Sequence, residues 1–279
     1  MNKYLIIILF LGNLLFATNY NHVNNRNGND TNSRINYIER NTYRDEDELL
    51  QFIESTMQTH LIPGISISVV KDNNIVWEKQ FGYANIENDI LVDENTMFIL
   101  SSISKTVTAT ALMQLYENGL FDLDDNINDY LNFDIIHPDF PLATITFKML
   151  LNHVSGIRDN WSVMPYYDGD SQIELDYYLN QYFSLEGDFY DNNLNFTNTM
   201  PGTSYTYSNI GAALIGLLVE KISNQSFNDY CNENIFEPLS MNNAFWFLSE
   251  INNINQVASP YQLAAGSGDS CFEIGCGIY

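Results

Sequence analysis

The run at 209–222, NIGAALIGLLVEKI, is apolar all the way round a helix until Glu220 and Lys221 near its end. A helix without a polar face has nothing to offer water, so this segment requires a fold that wraps other elements around it. The stretch at 98–119, FILSSISKTVTATALMQLYENG, makes the same demand. It predicts an interior helix over about 102–118, stopped by Gly119. A chain of 279 residues, 45% of them hydrophobic, has enough material for such a core, and wholesale disorder is excluded.

The remaining elements are legible from period and punctuation. In DEDELLQFIESTMQTHLI, Leu49, Leu50, Ile53, Met57 and Leu61 recur at helical spacing, and acids fill the first turn where the helix dipole favours them. The β-branched runs 65–70 and 75–80, separated by KDNN, read as a β-hairpin. A long aromatic-rich region follows at 121–206, with short helical pieces at 147–152 and 172–183. Helix, hairpin, buried helix, mostly helical region, buried helix and mixed tail together predict an α/β (α+β) fold: an antiparallel sheet flanked by helices, with a largely helical insertion at about 120–205.

The amino terminus has one basic residue, Lys3, ahead of an apolar segment too short to span a bilayer comfortably. It reads as a signal peptide over 1–17 with Ala17 at the cleavage site, an uncleaved anchor being the lesser alternative. An asparagine-rich linker at 18–44 leads to the main domain at 45–279. With 35 acidic against 11 basic residues the net charge is −24, which repels phosphate backbones and anionic lipid, so neither nucleic acid nor stable membrane insertion is expected of the exported chain. Cys231, Cys271 and Cys276 are too few for a disulfide framework or a zinc site; a Cys271–Cys276 bridge would leave one thiol over. The four histidines, at 22, 60, 137 and 153, lack metal-ligand spacing, and no cofactor is expected.

The chemistry is expected at the start of the first buried helix. Ser102 and Lys105 form Ser-x-x-Lys, and residues three apart share a helix face. Backbone N–H groups at a helix start can receive an oxyanion. Lys105 continues along a face with Ala109 and Leu112 and meets no acid on its own helix before Glu117. Loss of solvent disfavours a charged amine, and an uncharged amine can take the proton of a serine nucleophile. The second buried helix is preceded by Tyr207-Ser208-Asn209. In extended chain, residues two apart point the same way, so the phenol of Tyr207 and the amide of Asn209 would face one side, able to shuttle a proton and to orient a carbonyl or the lysine.

These motifs, in this order, resemble the serine hydrolases of the penicillin-recognising superfamily, and within it the class C β-lactamase, D,D-peptidase and esterase branch, in which Ser-x-x-Lys is followed by Tyr-x-Asn. The likeness runs over about 61–246 and includes TFKMLLNHVSGIRD, similar to the family's Leu-Leu-x-His-x-Ser-Gly loop, and IFEPLSMNNAFW, similar to its Pro-Leu-Gly-Met turn with Ser240 in place of glycine. The resemblance implies a β-lactamase/transpeptidase-like fold. It also implies Ser102 as acylated nucleophile, Lys105 as proton acceptor, Tyr207 as acid–base partner and Asn209 as the substrate-orienting group. His153 falls on a loop position expected to be buried and hydrogen-bonded rather than catalytic. The substrate it implies is a small molecule, a β-lactam, a D-amino-acid peptide or an ester. A third motif, Lys-Thr-Gly or His-x-Gly, is expected in this family, yet after Tyr207 the sequence has one lysine, Lys221, and no histidine or arginine. Two expectations follow: a C-terminally truncated hydrolase, or a degenerate, non-catalytic ligand-binding or scaffold protein.

Overall fold

The computed structural model describes residues 45–165, 167 and 169–261, and the backbone alone of 6–11, 262–263 and 272–274. Most of the proposed signal and linker, together with Cys271 and Cys276, lies outside the described residues. Two compact units emerge. Among the described residues, one is built from the chain up to Ile99 and from Asn255 to Ile274, the other from Leu100–Ile254.

The first unit is a four-stranded antiparallel sheet in the order β1-β2-β3-β4, made of Ile6–Leu11, Gly64–Lys71, Asn74–Asn85 and Ile90–Leu91. The KDNN hairpin closes with Asp72 and Asn73 at φ of 50° and 62°, the left-handed conformation that a two-residue hairpin turn requires and that Asp and Asn tolerate. Alternation sends Ile65 and Ile67 to one face, where they bury against Met57 of helix α1, Glu46–His60. Asp45 caps that helix by accepting from the Glu48 N–H at 3.0 Å. A two-stranded ribbon, β5 (Tyr261–Leu263) with β6 (Phe272–Ile274), completes the described part of this unit.

The second unit is helical. Its short 3₁₀ turn at Ser101–Ile103 runs into α2, Ser104–Glu117, so the α-helix proper begins two residues later than the sequence pattern predicts. Helices α3 (Phe147–Leu151), α4 (Leu175–Phe183), α5 (Asn209–Ser223) and α6 (Phe227–Cys231) follow. The apolar run read from the sequence is α5, and Leu214, Leu217, Leu218 and Val219 are fully enclosed. Around it stand Ala111, Leu112 and Leu115 of α2, Phe147 and Leu150 of α3, and Leu179, Tyr182 and Phe183 of α4. Burying each leucine contributes roughly 1.5–3 kcal/mol, far above any propensity difference, and so packing decides where α5 lies.

His137 also sits in this core, fully buried, with its ring 5.1 Å from Phe140 and 5.2 Å from Phe196. Burial holds its pKa below the ordinary 6.5, against the opposing pull of Asp139 and the Thr197 backbone. The folded form therefore binds a proton less readily than the unfolded chain. The corresponding stability is complete above about pH 6.5 and is lost as pH falls below it. Thermal unfolding followed from neutral to mildly acidic pH should show a steeper fall in Tm for the parent than for His137→Gln, whereas parallel curves would exclude this histidine as the cause.

Candidate active site

The chain turns sharply at Ser101, whose φ is 47°. Its carbonyl accepts the Ser104 hydroxyl at 2.6 Å, which commits Ser104 to the backbone. Ser102, between them, places its Oγ 2.7 Å from the Tyr207 hydroxyl. One turn on, the half-buried Lys105 Nζ lies 3.3 Å from Ser102 Oγ, donates to Asn209 Oδ1 at 2.7 Å and stands 5.1 Å from the centre of the Tyr207 ring. Among the described residues, the ion pairs join Lys79 to Glu46, Lys148 to Asp124 and Lys221 to Asp176, and none involves Lys105.

Tyr207 and Asn209 reach this point because Ser208 between them is extended, with φ −138° and ψ 124°. Ser208 turns the other way and is 1% exposed. Its hydroxyl caps α5 by accepting from the Gly211 N–H at 2.9 Å, and donates to Asp159 Oδ1 at 3.0 Å. The four residues singled out by sequence, Ser102, Lys105, Tyr207 and Asn209, are thus brought together, all within the helical unit.

The loop after α3 closes the other side. His153, at φ 55°, accepts the Ser208 N–H on Nδ1 at 3.3 Å, and its carbonyl accepts the Thr206 N–H at 2.7 Å. Its ring lies 4.7 Å from that of Tyr207. Burial, with Lys105 adding to it, lowers the His153 pKa in spite of Asp159, which suits a neutral ring whose Nδ1 accepts. Further along, the Gly202 N–H donates to Val154 O at 2.7 Å and the Thr197 N–H to Gly156 O at 2.8 Å. Gly156 has a φ of 79°, and a Cβ there would come within 3.0 Å of the His137 ring, so the Ser-Gly of this loop has a steric reason.

Sequence reasoning passed over Asp159. Its carboxylate accepts from Ser208 Oγ, from the backbone N–H of Asn209 at 2.8 and 3.1 Å, from the Ile210 N–H at 3.0 Å and from Asn209 Nδ2 at 2.7 Å. A negative group at the start of α5 also suits the helix dipole. The one clue in the sequence was a solitary acid after the Ser-Gly turn, and nothing in spacing tied it to residues fifty positions away. Chemically, the cluster offers a hydroxyl within hydrogen-bond reach of an amine and a phenol. Among the described residues no set of His, Cys, Asp and Glu is grouped to hold a metal ion, and no helix is long and apolar enough to cross a membrane.

Comparison with known proteins shows the family to which this fold belongs. A penicillin-binding protein of Bacillus subtilis (strain 168) is 28% identical over 201 residues, covering 70% of this chain and 40% of that protein. The octameric penicillin-binding protein homologue from Pyrococcus abyssi superposes with a TM-score of 0.64 at 29% identity, over 82% of this chain and 50% of its own. The D-amino acid amidase from Ochrobactrum anthropi SV3, solved with D-phenylalanine, gives 0.63 at 26% identity, over 81% and 62%. The chain therefore spans about two-fifths of the length of the curated relative. The family model described as Beta-lactamase matches residues 49–274, most of the sequence, and on this evidence the chain belongs to the Beta-lactamase family.

Proposed function

We propose that this chain carries the nucleophile of a serine hydrolase that works through an acyl-enzyme on Ser102. The observation that supports it most is the placing of one hydroxyl, Ser102 Oγ, 2.7 Å from the Tyr207 hydroxyl and 3.3 Å from the Lys105 amine. Ser102 Oγ attacks the carbonyl carbon while its proton passes to Lys105, directly or through Tyr207. The tetrahedral oxyanion is received by backbone N–H groups at the start of α2. Collapse expels an amine or alcohol, which takes the proton back, and leaves an acyl-Ser102 ester. Water then attacks the ester with the same groups as base, releasing a carboxylic acid and regenerating the serine.

The substrate class we propose is an amide or ester of modest size: a β-lactam, a D-amino-acid peptide or a simple ester. The names of the relatives, a penicillin-binding protein and a D-amino acid amidase, support this choice. We propose further that the chain acts outside the cytoplasm, on the strength of Lys3 and the apolar run behind it. Labelling with a fluorescent penicillin and with a fluorophosphonate tests the mechanism. Covalent label should appear on the parent chain at Ser102 by peptide mass and be absent from Ser102→Ala; equal labelling of both would remove Ser102 as the nucleophile.

A further inference from the structure

The two ends of the Asn209 amide are nearly equal in size and opposite in chemistry: Oδ1 accepts and Nδ2 donates. They are presented to two neighbours that tolerate no exchange. Asp159 Oδ2, 2.7 Å from Nδ2, belongs to a carboxylate that can only accept. Lys105 Nζ, 2.7 Å away, donates to Oδ1: with three N–H bonds it has nothing with which to accept, and with two it has a single lone pair, which it needs for Ser102. One orientation satisfies both; the reverse sets acceptor against acceptor at Asp159 and, at Lys105, either sets donor against donor or occupies the lone pair. From this we infer that Asp159 is a positioning residue: it fixes which way round the Asn209 amide is held, and so keeps the Lys105 amine open to the Ser102 proton. The inference rests on the acyl-enzyme reading above.

The consequence for Lys105 is specific. A neutral amine has two N–H bonds and one lone pair. When Asn209 Oδ1 takes one N–H, the lone pair can turn to Ser102 Oγ, 3.3 Å away. A reversed amide would aim its own N–H at that lone pair and block the base. Asp159 is itself immobilised, because it also holds the Ser208 hydroxyl and the N–H groups of Asn209 and Ile210. Its neighbours Arg158 and Asn160 are braced in turn by the buried Tyr182 hydroxyl, which donates to Arg158 O at 2.7 Å and accepts from Asn160 N at 2.9 Å. No hydrogen bond joins Asp159 to Ser102 or Lys105, so its influence passes through Asn209.

Asp159→Asn is the informative substitution, since its own NH₂ would face the Asn209 NH₂ and favour the reversed amide. The rate of Ser102 labelling by a fluorophosphonate, measured against pH, should fall about 10–100-fold in Asp159→Asn, with a changed pH profile, and by a similar factor in Asn209→Ala. The double variant should be no slower than Asn209→Ala alone. Rates that multiply in the double variant, or an unaltered pH profile in a folded Asp159→Asn, would overturn the inference. If the parent chain takes no label, the acyl-enzyme reading fails, and the positioning is decided by NMR of the Asn209 side-chain amide. Its protons should exchange slowly in the parent and fast in Asp159→Asn, and fast exchange in the parent would overturn it. Should Asp159→Asn not fold, Asp159→Glu carries the test, because it keeps an acceptor-only group. Slow amide exchange with labelling near the parent rate supports the inference, and fast exchange with undiminished labelling overturns it.

Discussion

Replacing Lys105 with methionine should lower the rate of Ser102 acylation about 10³-fold, the range expected when a general base is removed. In free energy this is about 4 kcal/mol of transition-state stabilisation. Methionine keeps the unbranched stem that packs along α2 and removes only the amine, so the fold should survive. The loss would then be chemical, because the contacts to Ser102 Oγ at 3.3 Å and to Asn209 Oδ1 at 2.7 Å both disappear. Lys105→Arg sharpens the result: guanidinium retains charge and can still donate to Asn209, yet it does not surrender a proton in a protein and cannot act as a base. Arginine should therefore be as damaging as methionine. The second-order rate of fluorophosphonate labelling checks this, and a parent-like rate in either variant would move the proton acceptor to Tyr207.

The second large effect is expected at a residue that does not touch Ser102. Asn195 is fully buried and joins three backbone or side-chain partners through its amide: Oδ1 accepts from Asn160 Nδ2 at 2.9 Å, and Nδ2 donates to Tyr182 O and Phe189 O, each at 2.8 Å. Asn195→Ala would strip all of them in a region closed to solvent. Each of the three orphaned groups costs about 1–3 kcal/mol; with local relaxation recovering part of it, the total loss should be about 3–5 kcal/mol. Denaturant unfolding measures it directly, and a loss below about 1 kcal/mol would mean that the groups find other partners. Labelling of Ser102 should weaken as well, since Asn160 and Tyr182 brace the loop that presents Asp159.

These two substitutions differ in how visible their sites were beforehand. Ser102 and Lys105 share one helical turn, and Tyr207 and Asn209 lie two apart in extended chain, so local period alone pairs each couple. The hairpin was equally local: KDNN supplied the turn and the β-branched runs supplied the strands. Asp159, Tyr182 and Asn195 work through partners 50, 24 and 35 positions away respectively. Buried hydrogen bonds of this kind leave no period in a sequence, and an asparagine in an asparagine-rich chain carries no flag. The sequence pattern places a helix from about Ser102, and there the structure has a 3₁₀ turn that becomes α-helix at Ser104. Propensity sees helix from Ser102, whereas the left-handed Ser101 and its bond from Ser104 tighten the first turn to 3₁₀.

The middle letter of Tyr-x-Asn is usually written as though anything could stand there. In this chain that letter is Ser208, sealed from solvent, accepting one hydrogen bond from α5 and donating another to Asp159. The outer two residues reach Ser102 and Lys105, and the residue between them helps to hold them there. A side chain without a hydroxyl at 208 would deprive the Gly211 N–H of its acceptor and Asp159 Oδ1 of one of its donors, in a place water does not reach.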